Sequence, residues 1–222
     1  RKNLAELLAK LGRNDEALAA YDAAIALAPG VAELHSNRST VLNALNRHAE
    51  ALPGYDRALR INPAFTDALN NRGITLNALG RYEEALACFR QAIAIKPDYV
   101  NAHWNESLTL LRLGRFEEGW AKHEWRWQKP EFAPHKVALP FPRWNGREDL
   151  RGKTILLLSE QGYGDTMQFV RYVNLLEARG AKVQLFVPEP VVGLLRRSFP
   201  NALVFNRTDA FPPADYVCPL LS

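Results

Sequence analysis

Small, aromatic and proline residues recur along the first half of the chain with a spacing of 34 residues. In each copy alanine is followed by tyrosine or phenylalanine, then by alanine, an aliphatic residue and proline. The equivalent positions are Ala17, Ala51 and Ala85; Tyr21, Tyr55 and Phe89; Ala24, Ala58 and Ala92; Leu27, Ile61 and Ile95; and Pro29, Pro63 and Pro97. This period predicts stacked antiparallel helical hairpins, because one hairpin cannot bury its apolar face alone.

Each predicted hairpin also has a residue suited to a left-handed turn between its two helices. Gly12, Gly80 and Gly114 share this position with Asn46, and Gly and Asn tolerate the positive φ that ends a helix. The alanines let the two helices approach closely, the aromatic residues fill the gap to the next hairpin, and proline ends the second helix. A fourth copy keeps part of the pattern, with Gly119 at the first alanine position.

These positions resemble the tetratricopeptide repeat, and the segment from Thr66 to Asp98 is a near-consensus copy. The resemblance covers about residues 3 to 130, and it implies an α-helical solenoid over residues 1–128 with about four repeats. The first repeat is cut short, since its first helix begins at or before Arg1, and the chain lacks an initial methionine. We therefore expect the chain to be a fragment of a longer protein.

One polar position recurs without a break in the first helix of each hairpin, at Asn3, Asn37, Asn71 and Asn105. Asparagine is a poor interior helix residue, so its recurrence indicates a role beyond helix propensity. The row resembles the asparagine ladder of the O-linked N-acetylglucosamine transferase superhelix. The resemblance implies that these amides face the concave surface and hold the backbone of an extended peptide. The alternative is that they brace neighbouring helices without a ligand.

Other residues of the first helices are candidates for the same groove. They are Asn43, Asn77, Ser36, Asn70, Thr40 and Ile74. Arg38 and Arg72 share one position of the repeat and are candidates to clamp an acidic ligand. Alternatively these arginines are solvated or pair with local carboxylates.

Aromatic residues replace the usual small and aliphatic residues in the second helix of the fourth hairpin. The residues are Trp120, His123, Trp125 and Trp127. Bulky aromatic residues are expected where a solenoid ends against another structure, so we interpret this helix as the seam to a following domain. An aromatic cage for a sugar or a nucleobase is the competing interpretation.

The pattern changes after a proline-rich segment, residues 129–143, which we expect to be a mostly extended linker. Short apolar runs then alternate with helical segments. Strands are predicted at 154–159 and 183–187 and near 203–205 and 216–219, and helices at 165–179 and 191–198. Such alternation predicts a parallel sheet with crossover helices, which makes residues 144–222 a partial α/β Rossmann-like domain.

The segment from Glu160 to Tyr172 follows the first predicted strand, where folds of this class place ligands. A dinucleotide fingerprint would need a small residue at Met167, and Asp165 would place a negative charge beside a pyrophosphate. We therefore expect no dinucleotide and no other cofactor.

The run from Trp144 and Gly146, through Gly152 and Lys153, to Glu160 and Arg171 resembles a bacterial group related to the lipopolysaccharide heptosyltransferases. The resemblance implies the N-terminal, acceptor-binding half of a two-domain GT-B glycosyltransferase, with Asp165 as the catalytic base. The implied acceptor-binding residues are Gly162, Gly164, Gln168, Arg171 and Tyr172. The alternative is a helix-capping aspartate in a satisfied internal network. Without a second half, the chain alone is not expected to transfer sugar.

Composition and charge exclude several classes of function. The net charge of +4 is spread over 222 residues, which does not favour nucleic-acid binding. The longest aliphatic run is Ile155 to Leu158, far short of the roughly 20 residues that span a bilayer, so we expect a soluble, cytoplasmic protein. Cys88 and Cys218 lie far apart in the sequence, and no spacing predicts a metal site.

The sequence therefore favours a module that binds a protein or an extended peptide through the solenoid groove. The alternative is the targeting and acceptor-binding part of an inverting nucleotide-sugar glycosyltransferase. A third interpretation makes the α/β segment a structural cap on the last repeat.

Overall fold

A computed structural model describes residues 2–135, 139–160, 162–206 and 211–220 of the chain. The chain divides into two compact units, Arg1–Lys129 and Pro130–Ser222, which we call the helical unit and the α/β unit. Each unit has hydrophobic clusters of its own.

Four helical hairpins make up the helical unit. Its helices are α1 (Lys2–Lys10), α2 (Asn14–Leu27), α3 (Ala32–Ala44), α4 (His48–Ile61), α5 (Thr66–Ala78), α6 (Tyr82–Ile95), α7 (Val100–Arg112) and α8 (Phe116–His123), followed by a 3-10 helix at Glu124–Gln128. We call α1, α3, α5 and α7 the first helices and their partners the second helices. The predicted solenoid of hairpins is confirmed.

The turns between the helices have the left-handed backbone that the sequence predicts. Gly12, Gly80 and Gly114 have φ of 73° or 74°, and Asn46 has φ of 58°. In each turn the next residue, always an arginine, donates its backbone N–H to a carbonyl five residues earlier, as in Arg81 to Leu76 at 2.9 Å. This bond satisfies a carbonyl that the helix end would otherwise leave unpaired.

Small residues and aromatic residues pack the two helices of a hairpin closely together. The alanines at positions 17, 51 and 85 are fully buried, and a Cβ on Gly119 would lie 2.7 Å from a Leu111 methyl carbon. Phe89 is equally buried, and its ring occupies the space that a Cβ on Gly73 would need. Phe89 of α6 thus packs against α5 of its own hairpin. The filling of the gap to the next hairpin by the aromatic residues stays a prediction.

The α/β unit contains a four-stranded parallel sheet in the order β3–β2–β1–β4. The strands are β1 (Thr154–Leu158), β2 (Lys182–Phe186), β3 (Leu203–Phe205) and β4 (Tyr216–Pro219); the helices are α9 (Tyr163–Phe169), α10 (Val173–Ala178) and α11 (Glu189–Ser198). The predicted parallel sheet is confirmed. The prediction of a single helix at 165–179 is wrong, because a 3-10 turn at Val170–Tyr172 separates α9 from α10.

Both faces of the sheet are covered. Ile155 and Leu157 of β1 point to the face that packs with residues of α10 and α11. Leu156 and Leu158 alternate to the other face, where Phe186 and Phe205 lie. This alternation along β1 explains why the strand is apolar throughout.

The predicted linker is only partly an extended connector. A 3-10 helix occupies Pro130–His135, and residues 136–138 lie outside the described part of the chain. Further on, Val217 of β4 donates its N–H to the Pro142 carbonyl and accepts one from Trp144, both at 2.9 Å. The end of the segment therefore lies along the edge of the sheet, where a proline without an N–H is tolerated.

Replacement of Gly80 by alanine should lower the free energy of unfolding by about 1–2 kcal/mol, because a side chain is strained at positive φ. Asn46→Gly should raise the free energy of unfolding by a few tenths of the loss expected for Gly80→Ala. Gly30→Ala is the control, since Gly30 lies in open space without positive φ. Urea unfolding followed by far-UV circular dichroism measures the effect, and equal losses at Gly30 and Gly80 would contradict this account.

Candidate functional site

Successive first helices contact one another, α1 with α3, α3 with α5 and α5 with α7. This is the arrangement expected on the inner side of a stacked superhelix. Residues spaced by four, three and four positions form one accessible face on each of the last three first helices. We call this face the inner stripe. Its residues are Glu33, Asn37, Thr40 and Ala44 on α3; Asp67, Asn71, Ile74 and Ala78 on α5; and Asn101, Asn105, Leu108 and Arg112 on α7.

The four asparagines of the predicted ladder occupy equivalent positions on the first helices. Asn3 is exposed, whereas Asn37, Asn71 and Asn105 are half-buried. Asn37 Nδ2 donates to Glu6 of α1 at 3.3 Å, and Asn37 also hydrogen-bonds the buried Tyr21, whose pKa is raised by that burial.

The ladder amides of α5 and α7 meet through Asn70. Asn105 Nδ2 donates to Asn70 Oδ1 at 2.8 Å, and Asn70 Nδ2 donates to Asn71 Oδ1 at 3.3 Å. Among the described residues, Asn71 Nδ2 and Asn105 Oδ1 have no hydrogen-bond partner. One donor and one acceptor thus remain on neighbouring helices. Asn70 itself is buried and acts as the bridge between them.

Asn43 and Asn77 brace the hairpins rather than face open solvent. Asn43 Nδ2 lies 3.1 Å from the Tyr55 hydroxyl and 2.5 Å from Thr75 Oγ1 of the next hairpin. Asn77 Nδ2 donates to Thr109 Oγ1 in the same way at 2.7 Å. Sequence analysis missed this pairing, although the recurrence of threonine 32 residues after each asparagine was a usable signal.

Arg38 and Arg72 pair with carboxylates of the preceding hairpin. Arg38 Nε donates to Asp22 at 2.6 Å, and Arg72 Nε donates to Asp56 at 2.8 Å. Between the third and fourth hairpins the acid and the base change places. There Arg90 of α6 donates to the fully buried Glu106 of α7 at 2.9 Å. Lys122 Nζ lies 2.8 Å from the second oxygen of Glu106.

The remaining groove candidates differ in accessibility. Ser36 is buried, whereas Thr40 is exposed and its hydroxyl lies 3.1 Å from that of Tyr55. Ile74 keeps 43% of its surface exposed, as does its equivalent Leu108 on α7. Leu108 was missed by sequence analysis because a single leucine on a helix resembles a core position.

Aromatic residues of the fourth hairpin pack on one another within the helical unit. The rings of His103 and Trp125 stack with centroids 3.7 Å apart, and His123 lies 4.7 Å from Trp104. Burial lowers the pKa of His123 to about 4, so this histidine is neutral at neutral pH. The interpretation of this helix as a seam stays a prediction.

In the α/β unit the predicted acceptor residues lie on α9 and on the 3-10 turn that follows it. Asp165 is half-buried, and its side chain neither caps α9 nor makes another hydrogen bond or ion pair within the described part of the chain. Gly162 and Gly164 have open space where a Cβ would lie. Gln161 lies outside the described residues. The capping role and the acceptor role of Asp165 both stay predictions.

The remaining residues of this predicted site differ in their contacts. Gln168 is exposed, and Arg171 donates to the Tyr172 hydroxyl at 3.3 Å with its guanidinium 5.2 Å from the same ring. Tyr172 also lines an apolar cavity of about 240 Å³ together with Trp144 and Cys218. The structure thus brings Arg171 and Tyr172 together, and Tyr172 lies against an apolar space.

The described residues contain no group of three His, Cys, Asp or Glu side chains arranged to hold a metal ion. No helix among them is long and apolar enough to cross a membrane.

Family models of the tetratricopeptide repeat match residues 2–64 and 66–99. The chain is 33% identical over 97 residues to Protein FlbA of Caulobacter vibrioides, a match that covers 42% of this chain and 16% of FlbA. The chain therefore spans well under a fifth of the length of this relative. The first three hairpins of the helical unit therefore match tetratricopeptide repeats.

Solved structures have the same helical fold. The crystal structure of MamA matches with a TM-score of 0.54 at 18% identity, over 61% of this chain and 79% of MamA. The first tetratricopeptide domain of Spaghetti (RPAP3), bound to the HSP90 peptide SRMEEVD, matches with a TM-score of 0.50 at 25% identity. That match covers 51% of this chain and 90% of the RPAP3 domain.

Exchange of the charges of Asp56 and Arg72 should reproduce the pair that Arg90 and Glu106 already form. Asp56→Arg alone should lower the free energy of unfolding by about 1 kcal/mol, because it places two arginines together at a partly exposed site. Adding Arg72→Glu should restore most of the loss.

The control for this exchange is Arg57→Glu, because Arg57 is an exposed neighbour that forms no ion pair with the described residues. Urea unfolding of the single and double variants gives the coupling free energy. Simple additivity of the two single losses would show that the pair does not connect the hairpins.

Proposed function

We propose that the inner stripe binds an extended segment of a partner protein and that Asn71 and Asn105 pair with its backbone. The observation that carries this proposal is the uncommitted donor of Asn71 beside the uncommitted acceptor of Asn105, as judged over the described residues. An extended backbone offers a carbonyl and an N–H at nearly every residue. An asparagine amide can therefore bind it without recognising a particular side chain.

The spacing of the helices suits this mode of binding. Packed helices lie about 8–10 Å apart, and an extended chain advances about 3.3 Å per residue. A guest that crosses α3, α5 and α7 would therefore meet one ladder asparagine about every three residues. Asn37 and the exposed Asn3 would continue the row, although Asn37 shares its donor with Glu6.

Asn43 and Asn77 support the groove indirectly in this proposal. Their amides are used between hairpins, so they fix the distance between α3, α5 and α7. Arg38 and Arg72 are likewise engaged, and an acidic guest would have to compete with Asp22 and Asp56 for them. The groove proposal therefore depends on Asn71 and Asn105.

A solved tetratricopeptide domain of similar structure provides independent support. The RPAP3 domain holds a short peptide of seven residues, SRMEEVD. Binding of a short peptide segment is thus compatible with this fold. The RPAP3 peptide does not identify the partner of the present chain, because the side chains of the inner stripe decide which peptide binds.

Replacement of Asn71 and Asn105 together by alanine should weaken peptide binding by about tenfold or more, since two hydrogen bonds to the guest backbone are lost. Helicity should be unchanged, because both side chains are partly exposed. The probe is an array of overlapping peptides with blocked termini, and fluorescence anisotropy of the best-bound peptide gives the affinity.

Asn174→Ala is the matched control, because Asn174 is an exposed helical asparagine of the α/β unit. Equal affinities of the wild type and the Asn71→Ala, Asn105→Ala variant would contradict the groove proposal. A loss of affinity with Asn174→Ala would point to the α/β unit instead.

The α/β unit is a second candidate site, for a sugar acceptor. Its four parallel strands have the order β3–β2–β1–β4, and ligands of open parallel α/β sheets bind beyond the carboxyl ends of the strands. Asp165 follows β1 at that end and is uncommitted within the described structure, with Gly162 and Gly164 leaving space beside it. A half-buried carboxylate there is suited to accept a hydrogen bond from an acceptor hydroxyl.

Asp165→Asn should lower the affinity for a bound glycan by about fivefold or more, because a hydrogen bond to a charged group is replaced by a weaker one. A glycan array probes binding, and Glu189→Gln, an exposed acid at the start of α11, is the control. Absence of glycan binding by the wild type would remove this second function and leave the peptide groove untouched.

A further inference from the structure

The inner stripe changes its chemistry from α3 to the last two first helices. At one position of the repeat α3 has Thr40, whereas α5 has Ile74 and α7 has Leu108. Both aliphatic side chains keep 43% of their surface exposed on the helix face that carries Asn71 and Asn105. Exposed aliphatic residues beside uncommitted amides mark a surface that can bind a guest with both polar and apolar groups.

We propose that Ile74 and Leu108 form a subsite for one aliphatic side chain of the extended guest, a proposal that rests on the peptide-binding function above. The two residues lie at equivalent positions on contacting helices whose axes are about 8–10 Å apart. The gap between them therefore suits one side chain of the size of valine, leucine or isoleucine. The amides of Asn71 and Asn105 lie one helical turn away and hold the backbone of the same segment.

Charge on the stripe defines the rest of the guest. Glu33 and Asp67 are exposed one turn from the ladder asparagines, on the side opposite to the aliphatic pair, whereas Arg112 is exposed one turn beyond Leu108 on the aliphatic side. Arg38 and Arg72 are neutralised by aspartates, so they add little positive potential. Successive side chains of an extended chain point in opposite directions. The geometry therefore selects an aliphatic residue whose two neighbours are neutral or basic, and it disfavours an acidic guest.

The experiment scans a library of blocked heptapeptides in which each position is varied in turn. The wild type should select an aliphatic residue at one position and lysine or arginine beside it. The acidic peptide SRMEEVD, which the RPAP3 domain binds, should bind more weakly than the selected sequence.

Two variants test the subsite itself. Ile74→Thr installs the residue that α3 already has at Thr40, and Leu108→Gln keeps a good helix former. Each should weaken the selected peptide by about tenfold and abolish the aliphatic preference, because one apolar contact is lost. Leu194→Gln is the matched control, since Leu194 lies on α11 with the same exposed fraction of 43%.

The outcomes separate the subsite from the proposed function. Peptides that bind without an aliphatic preference, or whose affinity is unchanged by Ile74→Thr and Leu108→Gln, would overturn the subsite while leaving backbone binding by Asn71 intact. Preference for SRMEEVD would overturn the predicted guest chemistry. Absence of binding by every peptide in the library would overturn both proposals.

Discussion

The helical unit depends on the stacking of each hairpin against the next. A hairpin contains too few residues to enclose a core, so its alanines and aromatic side chains are buried only when a neighbour covers them. One hydrophobic cluster runs from Ala5 of α1 to Ala68 of α5 and so joins the first three hairpins. Because hydrophobic packing has no direction, polar contacts between hairpins are needed to fix how they are placed.

Those polar contacts lie on the first helices, which is also where the candidate groove lies. Asn43 and Asn77 use their amides on threonines of the next hairpin, and the Asp–Arg pairs join each second helix to the following first helix. These groups are already hydrogen-bonded or ion-paired between hairpins. What remains for a guest is the small set of atoms on Asn71 and Asn105 and the apolar surface beside them. Binding and folding thus use neighbouring residues of the same helix for different purposes.

Much of this architecture could be predicted from the sequence because it is local and repeated. The turn glycines and the strands of the sheet follow from short patterns, and the strands were located to within one residue. The cross-hairpin partners were missed because they are 16 or 32 residues apart and belong to no local pattern. The next copy of the repeat has Arg90 and Glu106 where this one has Asp56 and Arg72, so the acid and the base change places. This paired change was a signal in the sequence that the two positions are in contact.

Other features depended on tertiary context that local rules do not contain. Pro53 lies inside α4 without ending it, and the helix predicted at 165–179 is divided by a 3-10 turn. The proline-rich segment was expected to be a mostly extended linker, and its last residues pair with β4. Its prolines are tolerated because an edge position requires fewer N–H donors.

The most direct test of the central claim observes the asparagine side chains themselves. In a ¹⁵N-labelled protein, the side-chain NH₂ resonances can be followed while the best-bound peptide is added. The account predicts that the resonances of Asn71 and Asn105 shift with saturation, while those of Asn43 and Asn77 stay in place. Peptide binding that leaves Asn71 and Asn105 unshifted would contradict it.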